Sequence, residues 1–318
     1  MAVGDEAFAA FVREHEGAVR AHCYRMLGSA DDADDALQET LLAAWRGLAG
    51  FRGDSSPRTW LVRIATNCCL RLAQRRGPRT LSWDHGPAFG PHDDLGAPDL
   101  ERLWVEPLPG RPADPRSMAD PVERVEHLET VELAWVAALQ HLPPSQRAVL
   151  LLREVLAFSA AETAETLDLT VPAVNSALQR ARATMARAAE GGPGRQDPEV
   201  PAHLVGGFMK AWEASDVDAL VGLLADDVRL TMPPLAAWFS GVADVAEFVR
   251  ERMFERPWRL LPVELNGGPA FACYQWADGR FPLSGATALT VRDGRVSWIA
   301  SFLDPRFLHR LGCPESLD

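Results

Sequence analysis

Lysine is almost absent from this chain of 318 residues: Lys210 stands alone, and every other basic side chain is arginine. Cysteines that pair by pattern are also missing. The five present are Cys23, Cys68, Cys69, Cys273 and Cys313, an odd number with no CxxC and no Cys/His spacing of the zinc-ligand kind. A disulfide framework and a zinc finger are therefore not expected, and the thiols read as buried or incidental in a reducing compartment. No metal and no cofactor is expected. No apolar run approaches the ~18–20 residues of a membrane span. The opening MAVGDEAFAAFVREHEG is acidic and amphipathic, unlike a secretory leader. These absences predict a cytoplasmic protein without a membrane partner. A general excess of positive charge is lacking too: 32 Lys+Arg face 44 Asp+Glu, a net charge of −12, which disfavours non-specific DNA binding by the whole chain.

What is present is a globular composition, 47% hydrophobic and 24% charged, in a chain long enough for two or three domains. The basic charge is confined. Arg58, Arg63, Arg71, Arg75, Arg76 and Arg79 lie between Ser55 and Trp83 with no acid among them; Arg180, Arg182 and Arg187 lie between Leu169 and Ala189, again with none. Residues 5–77 read as helical, with Phe8, Phe11, Val12, His15 and Val19, then Leu37, Leu41, Leu42 and Trp45, at helical spacing. Asp31 or Asp32 is the expected cap of the second helix, and GDSSP (53–57) the break before a third. Residues 78–121 are rich in proline and acid and read as an extended linker. Helices are expected again at 122–140, 145–154, 159–167 and 171–189. After a second linker, 190–200, helices precede strand-like runs at 228–232, 260–265, 270–276, 286–292 and 295–302, the last two joined by a DGR turn. That order is an α+β domain, with Asp226-Asp227 expected at a helix-to-strand turn.

Two stretches carry DNA-binding chemistry. SAAETAETLDLTVPAVNSALQRARATM (159–185) fits a helix-turn-helix. Ala161, Ala164 and Leu167 pack, Thr170 caps the second helix, and Val174 and Leu178 face inward. Val171, Asn175, Ser176, Gln179, Arg180 and Arg182 then face outward, residue types that read base edges and hold phosphates. A plain helical hairpin with a solvated basic face would give the same pattern. SPRTWLVRIATNCCLRLAQRR (56–76) sets an apolar side of Trp60, Leu61, Ile64, Ala65 and Leu72 against a polar, cationic one. A basic helix behind a flexible polar loop suits melted DNA, whose phosphates it holds while an unstacked base enters a pocket. Many solvated helices are equally rich in arginine.

The string from Asp31 to Arg76 resembles region 2 of the extracytoplasmic-function sigma factors of RNA polymerase, and LPPSQRAVLLLREVLAFSAAETAETLDLTVPAVNSALQRARATM (142–185) resembles their region 4. The resemblance implies that Asp34, Asp35, Gln38, Glu39, Leu42 and Trp45 dock on the clamp of the polymerase's largest subunit. It implies that Asp54, Ser55, Arg58, Arg63, Asn67, Arg71 and Arg75 serve the −10 element, and that Thr170, Val171, Ser176, Gln179, Arg180 and Arg182 serve the −35 element. Partners would be core RNA polymerase, including the flap of its second-largest subunit, and promoter DNA. The acidic linker, with Asp93, Asp94, Asp99 and Glu101, would sit where the family threads a nucleic-acid-mimicking segment through the polymerase.

Residues 201–318 resemble the SnoaL-like, nuclear-transport-factor-2-like α+β cone. Trp212, Trp238, Tyr274, Trp276 and Trp298 are candidates to line a pocket for a small hydrophobic ligand; the alternative is that they fill the core. His203 and His309 have no evident pairing with Asp226, Asp227, Asp278 or Asp304, so catalysis is not expected. LWVEPLP (103–109) resembles a tryptophan/proline motif that docks against such fused domains, and the resemblance implies that the C-terminal domain modulates activity in cis. The expected architecture is multidomain: a region 2 helical bundle (5–77), the linker (78–121), a region 4 helix-turn-helix (122–189) and the SnoaL-like cone (201–318). Two other readings stay open: a stand-alone helix-turn-helix regulator with a ligand-sensing domain, and a SnoaL-like enzyme fused to a DNA-binding module.

Overall fold

The computed structural model describes residues 5–51, 55–110 and 132–318, with side chains from Val12 onward, Ala49 excepted. Asp54, most of the loop around it, the side chains of Phe8 and Phe11, the end of the proline-rich segment and the first half of the helix expected at 122–140 lie outside the described residues. The chain divides into two compact units.

Unit one holds helices α1 (Asp5–Leu27), α2 (Ala30–Gly47) and α3 (Pro57–Arg76), the end of α4 (Leu133–Gln140), then α5 (Pro144–Leu150), α6 (Ala160–Leu167) and α7 (Val171–Glu190). Helix α1 ends at Gly28, whose φ of +67° is the left-handed conformation glycine adopts without cost. A Cβ there would also lie 2.8 Å from the Gln140 side chain, which would have to move aside. Ser29 then caps α2, its Oγ accepting from the Asp32 N–H at 3.2 Å. This corrects the expected Asp31 or Asp32 cap. A capping residue sits in extended conformation just before the first helical residue, and both aspartates are already in the first turn, where the helix dipole favours them. Ser56 caps α3 in the same way, followed by Pro57.

The core of the three-helix bundle is Val19, Cys23, Tyr24, Met26, Ala33, Leu37, Leu61, Ala65, Cys69 and Leu72. All five cysteines of the chain are free thiols. Two buried arginines are held by hydrogen bonds. Arg79 donates to Asp32 at 2.7 Å, and Arg147 of α5 reaches the carbonyl oxygens of Met26, Gln140 and Leu142 and the Gln140 side chain. Burial lowers the Arg147 pKa to about 10, so it stays cationic at neutral pH and satisfies carbonyls left open at the ends of α1 and α4. Val62 of α3 packs with Leu152 and Phe158, so the two helical groups share apolar contacts.

Unit two contains residues 80–110, 132–135 and 191–318 among the described residues. Its sheet runs β2-β1-β6-β5-β4-β3, with β1 (Leu224–Thr231) parallel to β6 (Arg295–Phe302) and the other neighbours antiparallel. The remaining strands are β2 (Trp238–Ser240), β3 (Trp258–Leu265), β4 (Gly268–Gln275), β5 (Phe281–Arg292) and the short β7 (Ser316–Leu317), which pairs with β5. Helices α8 (Ala202–Glu213), α9 (Val217–Val221) and α10 (Val242–Phe248) cover one face, and α11 (Pro305–Leu308) follows the sheet. Leu204, Phe208, Trp212, Phe248, Phe271 and Ile299 fill the space between. The expected DGR hairpin forms, with Asp293 and Gly294 both at positive φ and their N–H groups donating to the Asp197 carboxylate. Asp226 and Asp227 are not at a turn: both are exposed residues within β1, in a bulged stretch between the pairs Leu224–Val296 and Arg229–Trp298. Strand β2, three residues long, has too short a run to show in the sequence.

Residues 80–110 do not behave as a free spacer. Phe89 N donates to the Trp238 carbonyl at 2.8 Å, Asp99 N to Pro234 at 2.9 Å, and Leu108 exchanges two hydrogen bonds with Asn266. This strap is part of the sheet unit.

Candidate nucleic-acid and polymerase interface

Helix α6 opens with a capping box: Ser159 Oγ accepts from the Glu162 N–H while the Glu162 carboxylate accepts from the Ser159 N–H. Those bonds hold the Glu162 pKa below its ordinary value. Asp168, in left-handed conformation, makes the turn, and Thr170 Oγ1 accepts from Ala173 N at 3.3 Å to start α7. Val174, Ala177, Leu178 and Ala181 of α7 are buried, so Val171, Asn175, Ser176, Gln179, Arg180 and Arg182 are turned outward on the opposite side. Arg182 pairs with Glu154 at 2.5 Å. In α6 the packed residues are Thr163, Ala164 and Thr166; Ala161, expected inside, is exposed. The threonines bury because their hydroxyls donate to the carbonyls of Ser159 and Glu162 one turn back.

On α3, Arg58, Asn67, Arg71 and Arg75 are exposed, and Ser55 and Arg63 half-buried. Two of these candidates face α6. Arg63 pairs with Glu165 at 3.2 Å, and the Asn67 amide lies 3.5 Å from the Thr166 carbonyl. Arg75 meets Glu39 at 3.5 Å. Glu165 and Thr166 were not among the candidates. Nothing in the sequence links them to residues about a hundred positions earlier.

On α2, Gln38, Glu39, Leu42 and Trp45 are exposed, Leu42 by 56% and Trp45 by 44%. Asp34 is half-buried against Arg20 at 2.5 Å, and Asp35 pairs with Arg76 at 3.0 Å. Asp35, Gln38, Glu39, Leu42, Leu72, Arg75 and Arg76 line a shallow groove of ≈ 430 Å³. Leu42 and Trp45 thus place two large apolar side chains among carboxylates on one exposed helix face.

The five aromatic candidates of the sheet unit are not gathered around one cavity. Trp212 stacks on Phe208 in the core. Tyr274 belongs to a second cluster with Ala272 and Phe281, and Trp276, 40% exposed, packs on Phe281. Trp238 and Trp298 both contact Trp83 of the strap, at centroid distances of 6.3 Å and 5.2 Å, and the Arg229 guanidinium lies 5.1 Å above the Trp83 ring. Burial lowers the Arg229 pKa. A cavity of only ≈ 10 Å³ remains where Trp104, Val105, Thr231, Trp298 and Phe302 meet. The LWVEPLP motif lies here, with Trp104 and Val105 buried. The carboxylates do not pair with the histidines: Asp227 binds Arg292 at 2.5 Å and Asp304 binds Arg306 at 2.6 Å.

A capped helix-turn-helix with a polar outer face, beside a helical bundle and ahead of an α+β cone, defines a modular DNA-binding transcription protein. Comparison with known proteins narrows the class. The models for Sigma-70 region 2, Sigma-70 region 4 and the SnoaL-like domain match residues 11–79, 132–185 and 205–299. The ECF RNA polymerase sigma factor SigG of Mycobacterium tuberculosis is 40% identical over 318 residues, covering 98% of this chain and 85% of that one. SigJ of the same species is 28% identical over 301 residues. The crystal structure of SigJ matches the fold with a TM-score of 0.64 at 24% identity, covering 96% of this chain and 99% of that one. The chain belongs to the extracytoplasmic-function RNA polymerase sigma factors, and it carries a SnoaL-like domain at its C-terminal end. Among the described residues no helix is long and apolar enough to cross a membrane.

Proposed function

We propose that the protein directs core RNA polymerase to a limited set of promoters, in the cytoplasm, without catalysing a bond change itself. The observation that carries this reading is the outward face of α7, where Ser176, Gln179 and Arg180 stand exposed over a fully packed inner face. Such side chains reach base edges and phosphates in a major groove, here that of the −35 element. Helix α3 supplies the −10 contacts through Arg58, Arg63, Asn67, Arg71 and Arg75, with Asp54 and Ser55 just ahead of it in the sequence. The face of α2 around Leu42 and Trp45 meets the clamp of the largest subunit, and the helix-turn-helix group meets the flap of the second-largest. Binding energy at these elements compensates for unstacking the −10 bases, about a few kcal/mol per step.

The boundaries that follow from this reading are region 2 at 5–77, region 4 at 122–189 and the SnoaL-like domain at 201–318, which acts as a cis-acting modulator and not as an enzyme. Support comes from the strap: Trp83 and Trp104 take up the aromatic surface on which a small hydrophobic ligand would otherwise sit. Run-off transcription with purified core polymerase tests the proposal. Transcripts should depend on the added protein and start at discrete promoters. Transcription unaffected by the protein, or tight duplex binding that needs no polymerase, would instead favour a stand-alone regulator.

A further inference from the structure

We propose that His92, Glu247 and Glu251 form a surface site for a divalent transition-metal ion that fastens the strap to helix α10. His92 Nε2 lies 3.1 Å from Glu247 Oε1, and its Nδ1 lies 3.0 Å from Glu251 Oε2. One donor atom from each residue can be chosen so that all three fall within 4.8 Å of one another. An ion takes one imidazole nitrogen, so the carboxylate that meets the other nitrogen must swing across; bound at about 2.0–2.2 Å in tetrahedral geometry, the three donors stand about 3.3–3.6 Å apart, a closure of roughly 1 Å that side-chain rotation at these exposed positions supplies. The group is held in place from both sides. Residues 90–93 form a turn in which Gly90 N donates to Asp93 Oδ2 at 2.8 Å and Asp93 N to the Gly90 carbonyl at 3.1 Å. Phe89 and Leu95, flanking that turn, pack on the core of the sheet unit, so His92 is presented to the helix by an anchored loop.

Glu247 and Glu251 are four residues apart, across the junction of α10 with the π turn Val249–Met253. Two carboxylates at that spacing repel each other. A shared cation removes the repulsion. One imidazole nitrogen with two carboxylate oxygens suits Zn²⁺, Mn²⁺, Co²⁺ or Ni²⁺, whereas Mg²⁺ and Ca²⁺ select all-oxygen shells. Three protein ligands leave positions for water, so the ion exchanges readily and the site differs from a closed structural zinc centre. When bound, the ion ties residues 88–96 to α10 and adds to the stability of that contact through mass action.

Calorimetric titration of the full-length protein with ZnCl₂, MnCl₂ and MgCl₂ tests this, alongside amide exchange with and without Zn²⁺. The comparison proteins are His92→Ala and the double variant Glu247→Gln/Glu251→Gln. All three positions are solvent-accessible, and circular dichroism checks that the variants fold. The expected result is one Zn²⁺ per chain, no Mg²⁺ binding, affinity lower by about tenfold or more in both variants, and slowed exchange within residues 88–96. Zinc affinity unchanged by His92→Ala would overturn the proposal. So would failure of both Zn²⁺ and Mn²⁺ to bind the unaltered chain, or protection that appears only elsewhere.

Discussion

At the scale of single residues, the interior of unit one depends on polar groups in apolar surroundings. His22 is fully buried, with Nε2 at 2.9 Å from Thr66 Oγ1. Burial, reinforced by the nearby Arg25 charge, lowers its pKa from 6.5 to about 3. In the unfolded chain the imidazole takes up a proton below its ordinary value near pH 6.5, while the folded state refuses it until about pH 3. The contribution to stability is therefore complete above about pH 6.5 and is lost as the pH falls, by about 1 kcal/mol per pH unit. Urea melts at pH 7 and pH 5 should show this loss in the unaltered protein and a flatter dependence in His22→Gln. Equal pH dependence in the two would exclude His22 as the source. That His22 falls in a helical stretch follows from the reading of residues 5–77 as helix. Its neutrality does not, because that depends on what the third helix places around it.

At the scale of elements, the sequence resolved α7 well and α3 only in part. The inner residues Val174 and Leu178 and the Thr170 cap follow from spacing and local chemistry, and the structure has them. For α3 the arginines are where the pattern puts them, but Arg63 and Asn67 are engaged by Glu165 and Thr166 of α6. While that contact persists, a melted strand competes with α6 for two of its candidate ligands. Glu165 is well exposed, so the ion pair is worth at most about 1 kcal/mol. Glu165→Ala should strengthen binding of a −10 single strand to the free protein by a factor of about two to five. Fluorescence anisotropy measures it, and Arg63→Ala should remove the gain. Weaker binding in Glu165→Ala would mean that the carboxylate positions Arg63 for DNA instead of occupying it.

At the scale of the whole molecule, the strap joins the helical unit to the sheet unit as a continuous part of the latter. Its contacts are intramolecular, at high effective concentration, so removing their partner should have a large effect. A chain ending at residue 195 should differ from the full-length protein in promoter-directed transcription by a factor on the order of ten or more. Trp83→Ala, which takes the ring from between Trp298 and Arg229, should move activity in the same direction by less. In vitro transcription on a promoter library reads both. Identical activity and promoter choice for the full-length and shortened chains would rule out cis-modulation.

By itself the sequence determined the order of the modules, the helical periods, the two islands of arginine in an acidic chain, the Thr170 cap and the DGR turn. Each of these is set by neighbours within a few residues, through side-chain spacing and backbone hydrogen bonding. Only the tertiary structure decided that Gly28, at the end of α1, is pressed on Gln140. It alone decided that Arg63 meets Glu165, that the proline-rich segment is a strap and not a spacer, and that His92 lies against Glu247 and Glu251. Those outcomes depend on contacts between residues tens to hundreds of positions apart, and packing brings them together without leaving a local pattern in the chain.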